Sequence, residues 1–148
     1  MATPKPIWTF EVTSQKSVED LQAVLMDIRE GDFLKTQLPV ILQNKGYAIV
    51  VKTGHEYTIT FQDGHKEFVE IDRLNHQLSI KEEWWYKGLY SLIQEPTMTR
   101  VKYEVHNIAP KFRWAASLMI LKDKNTFKID FETFVKNLEK AIDMRHDK

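Results

Sequence analysis

The sequence predicts one α+β domain in which an antiparallel sheet is covered by a long C-terminal helix. Between positions 47 and 106, apolar and polar residues alternate in successive short segments. Short turn signals separate these segments, and no spacing suits a parallel βαβ unit. The last stretch, Phe127 to Met144, changes to a helical period, with Phe131, Phe134, Val135, Leu138, Ala141 and Ile142 on one stripe. Such a stripe carries too much apolar area to be left in water, and the sheet offers the cover.

Taken in order, Ile7 to Thr13 reads as a half-buried strand, with Trp8, Phe10 and Val12 on one face. Ser17 starts a helix with Glu19 and Asp20 in its first turn, where the helix dipole favours acids. Val18, Leu21, Val24, Leu25 and Ile28 form its apolar stripe, and Gly31 is expected to end it. A second short helix is expected over Phe33 to Gln43, redirected by Pro39 and closed by Asn44-Lys45-Gly46.

Six strands then follow. Tyr47, Ile49 and Val51 alternate, Thr53-Gly54 turns the chain, and Tyr57, Ile59 and Phe61 alternate again. Asp63-Gly64 is a hairpin signal leading into Lys66 to Arg73. Asn75-His76 turns into a long strand from Gln77 to Tyr86. Gly88 precedes Leu89 to Gln94, Glu95-Pro96 turns, and Thr99 to His106 ends the series. An apolar helical stretch is expected between Pro110 and Lys124, and Asp130 is the expected N-cap of the last helix. The order is β-α-α-β6-α, in one domain spanning 1–148.

With 148 residues the chain is long enough for one sizeable core. Twenty-one basic residues balance twenty-one acidic ones, so no long-range field draws it to nucleic acid or an anionic membrane. There is no cysteine, which excludes disulfides and thiol chemistry and fits a cytoplasmic setting. No apolar run approaches the roughly 20 residues of a membrane span. The polar, proline-bearing start lacks the apolar centre of a signal peptide.

Candidate chemistry is sparse. His55, His65, His76, His106 and His146 show no ligand spacing, so no metal site is expected from them. If Leu78 and Ile80 face the core, period 2 puts Glu82 and Trp84 on the same face. A carboxylate aimed into an apolar interior can act as acid, base or ligand-orienting group. Trp84 and Trp85 are adjacent, so only one can line the interior, and the other marks the outer surface. Tyr47, Tyr57, Tyr90 and Tyr103 are candidate hydroxyl donors, and Arg113 and Trp114 could stand near an opening.

Two segments carry a resemblance. Glu67 to Ile80, EFVEIDRLNHQLSI, reads as strand, turn, strand; Ser91 to Val105 reads as a hairpin with an acid-Pro turn, Thr-Arg and an alternating strand. In these, and in its element order from about Ile7 to Met144, the chain resembles the START and Bet v 1-like superfamily, bacterial polyketide cyclase/dehydrase-type proteins included. The resemblance implies a helix-grip fold, with a curved sheet around the last helix and a cavity for apolar or amphipathic compounds. The paired His and carboxylate of the iron-binding oxygenase branch are missing, as is the Gly-rich segment of the heat-shock ATPase activators.

On that basis the expected function is binding or transport of a hydrophobic small molecule such as a lipid, quinone or aromatic compound, without a cofactor. The alternatives are a cyclase or dehydratase, or a co-chaperone-like interaction protein; a homodimer is compatible with each. The expected ligand wall is Phe10, Tyr57, Ile59, Ile80, Glu82, Trp84, Val101 and Tyr103, with Phe131, Val135 and Leu138 from the helix. A carrier calls for an almost wholly apolar lining, an enzyme for at least two converging polar groups, and an interaction protein for an exposed apolar patch.

Overall fold

The computed structural model describes residues 5–33, 40–42, 47–109 and 124–146. Eight strands form one curved antiparallel sheet, and a long helix closes the chain. The strands are β1 (Trp8–Ser14), β2 (Gly31–Phe33), β3 (Ala48–Thr53), β4 (Glu56–Phe61), β5 (Lys66–Asp72), β6 (Gln77–Glu82), β7 (Tyr86–Gln94) and β8 (Thr99–Asn107). Helix α1 spans Val18–Leu25 and helix α2 spans Lys124–His146. Their order across the sheet is β1-β8-β7-β6-β5-β4-β3-β2, so β3 to β8 run as a meander and β1 returns beside β8.

The turns follow from local chemistry. Gly54 and Gly64 adopt φ of 63° and 89°, a region where a side chain would be strained. Asp72 accepts from the backbone and side-chain amides of Asn75 at 3.1 and 2.7 Å, shaping the turn in which His76 takes φ of 56°. Ser17 caps α1 by accepting from the Asp20 amide at 3.1 Å.

Period 2 sets the inner face. Registers align Val69, Ile80, Gly88, Val105 and Trp8 in one row across five strands, and Ile71, Leu78, Tyr90, Tyr103 and Phe10 in the next. Onto these rows α2 lays Phe131, Val135, Leu138 and Ile142, all buried at three- and four-residue spacing. The predicted core stripe of α1 is buried as well: Val18, Leu21, Val24, Leu25 and Ile28. Polar ties fix the far end of α2. Ser14 donates to Glu139 at 2.7 Å, Lys16 pairs with Asp143, and Arg145 pairs with Asp27 at 2.8 Å.

Several expectations change. Gly31 does not end a helix; α1 stops at Leu25, and Gly31, with φ of 141°, opens the short strand β2 against β3. That strand raises the count above the seven expected. Phe33 is therefore extended, and Val40–Leu42 forms one 3-10 turn; the rest of the expected second helix and its closing Asn44-Lys45-Gly46 lie outside the described residues. The strand from Gln77 stops at Glu82 because residues 83–85 bend before β7 begins at Tyr86. Helix α2 already includes Lys124, Asn125 and Thr126, ahead of the expected Phe127, since these three residues contain no helix breaker. Asp130 consequently lies inside the helix and is not its cap. The apolar stretch after Pro110, with Arg113 and Trp114, is outside the described residues. No described helix is long and apolar enough to cross a membrane.

Candidate functional site

A cavity of about 450 Å3 lies between the N-terminal half of α2, the 3-10 turn and strands β5 to β8. Its helical wall follows from the helix period. Phe127, Asp130, Phe134 and Asn137 form a stripe beside the core stripe, so the same helix that closes the core also faces the cavity. The sheet contributes Glu67, Ile80, Glu82, Tyr86, Tyr90 and Tyr103, with Trp85 from the bend before β7.

The aromatic part is continuous. Tyr90 and Tyr103 are direct cross-strand partners and stack with centroids 4.6 Å apart. Phe131 lies 5.3 Å from Tyr103, and Phe134 lies 5.1 Å from Tyr90. Trp85, Tyr86 and Phe127 contact one another at 5.5 to 6.4 Å. The hydroxyls of Tyr86 and Tyr103 are hydrogen-bonded to each other.

Gly88 makes this arrangement sterically feasible. A Cβ at that position would come within 2.3 Å of the Tyr86 hydroxyl and 2.8 Å of the Tyr103 ring. Tyr86 and Gly88 share a face, so the missing side chain is the space in which the phenol lies.

The polar part is just as concentrated. Glu67 and Glu82 are paired directly across β5 and β6, and Glu67 is only 1% exposed. The partly exposed His65 imidazole stands 3.5 Å from Glu67. Donor atoms of His65, Glu67 and Glu82 all lie within 4.8 Å of one another, a grouping that the spacing of the histidines did not suggest. Burial pushes the Tyr103 hydroxyl up to about 12, with Glu82 and Asp130 adding to the rise. Burial, with the nearby charge of Glu67 adding to it, raises Tyr86 and Tyr90 well above the usual phenol value. The three phenols therefore stay protonated at neutral pH and act as neutral hydrogen-bonding groups, not as bases.

Of the expected wall residues, Ile80, Glu82, Tyr103 and Phe131 line this cavity. Phe10 joins Phe131 in a smaller cavity of about 320 Å3 between β1 and the start of α2. Ile59, Val101, Val135 and Leu138 are packed in the core, and Tyr57 is half-buried beside it; none of the five is among the described lining residues of the main cavity. Trp84 requires correction. It is 43% exposed, because the bend after Glu82 ends the strand alternation that would have turned it inward. Trp85 takes the inner position instead.

Sequence reasoning missed Glu67 although a signal was available, since it stands two residues before Val69 and four before Ile71 on their face. Tyr86 was missed for the opposite reason. Its inward direction depends on where β7 restarts, which alternation alone does not show. The lining also departs from the nearly apolar wall of a simple carrier, as Glu67, Glu82, Asp130, Thr133 and Asn137 all face it.

Neither protein-family models nor curated proteins give a match to the sequence. Solved structures do. A crystal structure of a Thermus thermophilus protein is similar at 15% identity and a TM-score of 0.50, covering 90% of this chain and 94% of its own. That of a putative uncharacterized protein from Bacillus thuringiensis shares 10% identity at a TM-score of 0.46, covering 91% and 94%. The first likeness concerns the fold alone.

Proposed function

We propose that this chain is a helix-grip protein of the START and Bet v 1-like type that binds a small amphipathic molecule between its sheet and last helix. The supporting observation is the cavity itself: about 450 Å3, walled by Tyr90, Tyr103, Phe127, Phe131 and Phe134, with the carboxylates of Glu67, Glu82 and Asp130 among its lining. The rings take the apolar body of a ligand, and the polar groups orient its other end. Thermal-shift screening of amphipathic compounds, with native mass spectrometry of the purified protein, tests this. A bound compound whose stabilising effect disappears in Ile80→Trp is expected. A folded protein that binds none of them would overturn the reading.

One observation favours a second reading, acid–base catalysis of the cyclase or dehydratase kind. Glu67 and Glu82 are directly opposed at the cavity wall, and two adjacent carboxylates can divide acid and base roles between them. On this reading Glu82→Gln keeps ligand affinity within about threefold while abolishing turnover of the bound compound, because the amide retains hydrogen bonding and loses the proton.

A further inference from the structure

We propose that the ligand is held by a neutral carbonyl oxygen, that of a ketone on an aromatic body, which accepts from the hydroxyl pair of Tyr86 and Tyr103. This rests on the reading of the cavity as a ligand site and names the group by which the ligand is anchored. The first support is a count of protons. Both tyrosines line the cavity, and their hydroxyls are hydrogen-bonded to each other. Each phenol carries one proton, and the bond between them uses one of the two. The pair therefore has a second proton to donate, and the first bond polarises it into a stronger donor. Leaving a buried hydroxyl proton without an acceptor is costly, so the cavity favours a ligand that supplies one.

The second support is where the backbone puts the pair. Tyr86, Gly88 and Tyr90 share the inner face of β7. The Tyr86 hydroxyl lies over Gly88, in space that any side chain at that position would occupy, and this lays it against Tyr103. On the facing helix, Phe127, Phe131 and Phe134 offer apolar contact and no donor. Burial raises both hydroxyls above the ordinary phenol value, so both protons are present at neutral pH. A carbonyl oxygen only accepts, so it takes the spare proton and adds none that would need a further partner.

The rival arrangement is a closed ring of hydroxyls. If Tyr90, stacked on Tyr103, takes the second proton and returns its own to the pair, all three protons are used within the protein. A ketone then finds no donor, and the cavity prefers the more apolar molecule.

The test is equilibrium dialysis of the full chain against benzophenone and diphenylmethane, which share a shape but carry a carbonyl and a methylene respectively. Water solvates the ketone better, so transfer into an apolar space alone favours diphenylmethane. The expected result is the reverse, with benzophenone bound about tenfold or more tighter. The carbonyl stretching band of bound benzophenone should lie below its position in hexane, the mark of an accepted hydrogen bond. In the double variant Tyr86→Phe, Tyr103→Phe, which keeps both rings, the preference should disappear and the band return toward the hexane position. Diphenylmethane bound as tightly as benzophenone would overturn the carbonyl anchor and leave the cavity reading standing. So would a bound carbonyl band at the hexane position, a measurement that needs only the wild-type protein. A folded double variant that kept the full preference would also overturn it. Binding of neither probe would remove the cavity reading as well.

Discussion

Gly88 and the three tyrosines around it show how far single residues determine the site. Adding a methyl group there collides with the Tyr86 hydroxyl and the Tyr103 ring, so Gly88→Ala should displace Tyr86 and weaken any ligand contact that it makes. We expect a loss of about 1–3 kcal/mol in stability, read from the urea midpoint, as is usual for overpacking. The phenols also set a pH dependence. Their hydroxyls are held above the ordinary value of 10.0, with Tyr103 at about 12. A raised folded value means that the native state keeps protons that the unfolded chain has released. The contribution of Tyr103 is full below about pH 10 and is lost as the pH rises through about 12. Urea midpoints should fall between these limits, and Tyr103→Phe should make that fall shallower.

At the scale of elements, α2 has two adjacent stripes with different duties. Phe131 is 2% exposed and belongs to the core stripe, so Phe131→Ala should cost about 3–5 kcal/mol in denaturant unfolding. Phe134 is only half-buried and faces the cavity, so Phe134→Ala should cost distinctly less and enlarge the space available to a ligand. The pair Arg145–Asp27 is partly exposed, and breaking it with Arg145→Ala should change stability by less than about 1 kcal/mol. Most of this helix was legible in the sequence because a period of 3.6 sustained over five turns overrides local ambiguity. Its described residues before Phe127 were not, since Lys124, Asn125 and Thr126 carry no apolar signal. The inner faces of β4 to β8 were also legible from alternation. Legibility failed at the bend over residues 83–85, where one interruption exchanged the roles of Trp84 and Trp85. It failed again at β2, which is three residues long and too short to show a period.

For the whole molecule, a single sheet curved against one long helix creates both the core and the cavity. Removing the chain from Lys124 onward should therefore expose the inner rows of the sheet, leaving an insoluble or molten remainder with no near-ultraviolet dichroism. The most direct measurement is native-state uptake of Nile red, a neutral solvatochromic probe, compared between the wild-type protein and Ile80→Trp. Ile80 lies on the cavity wall, so a Trp there should fill space that a ligand would occupy. We predict saturable uptake by the folded wild type, a change in Trp85 emission, and at least about tenfold weaker uptake by a variant with the same circular dichroism. Equal uptake by both folded proteins, or none by the wild type, would contradict a ligand-binding cavity beneath the last helix.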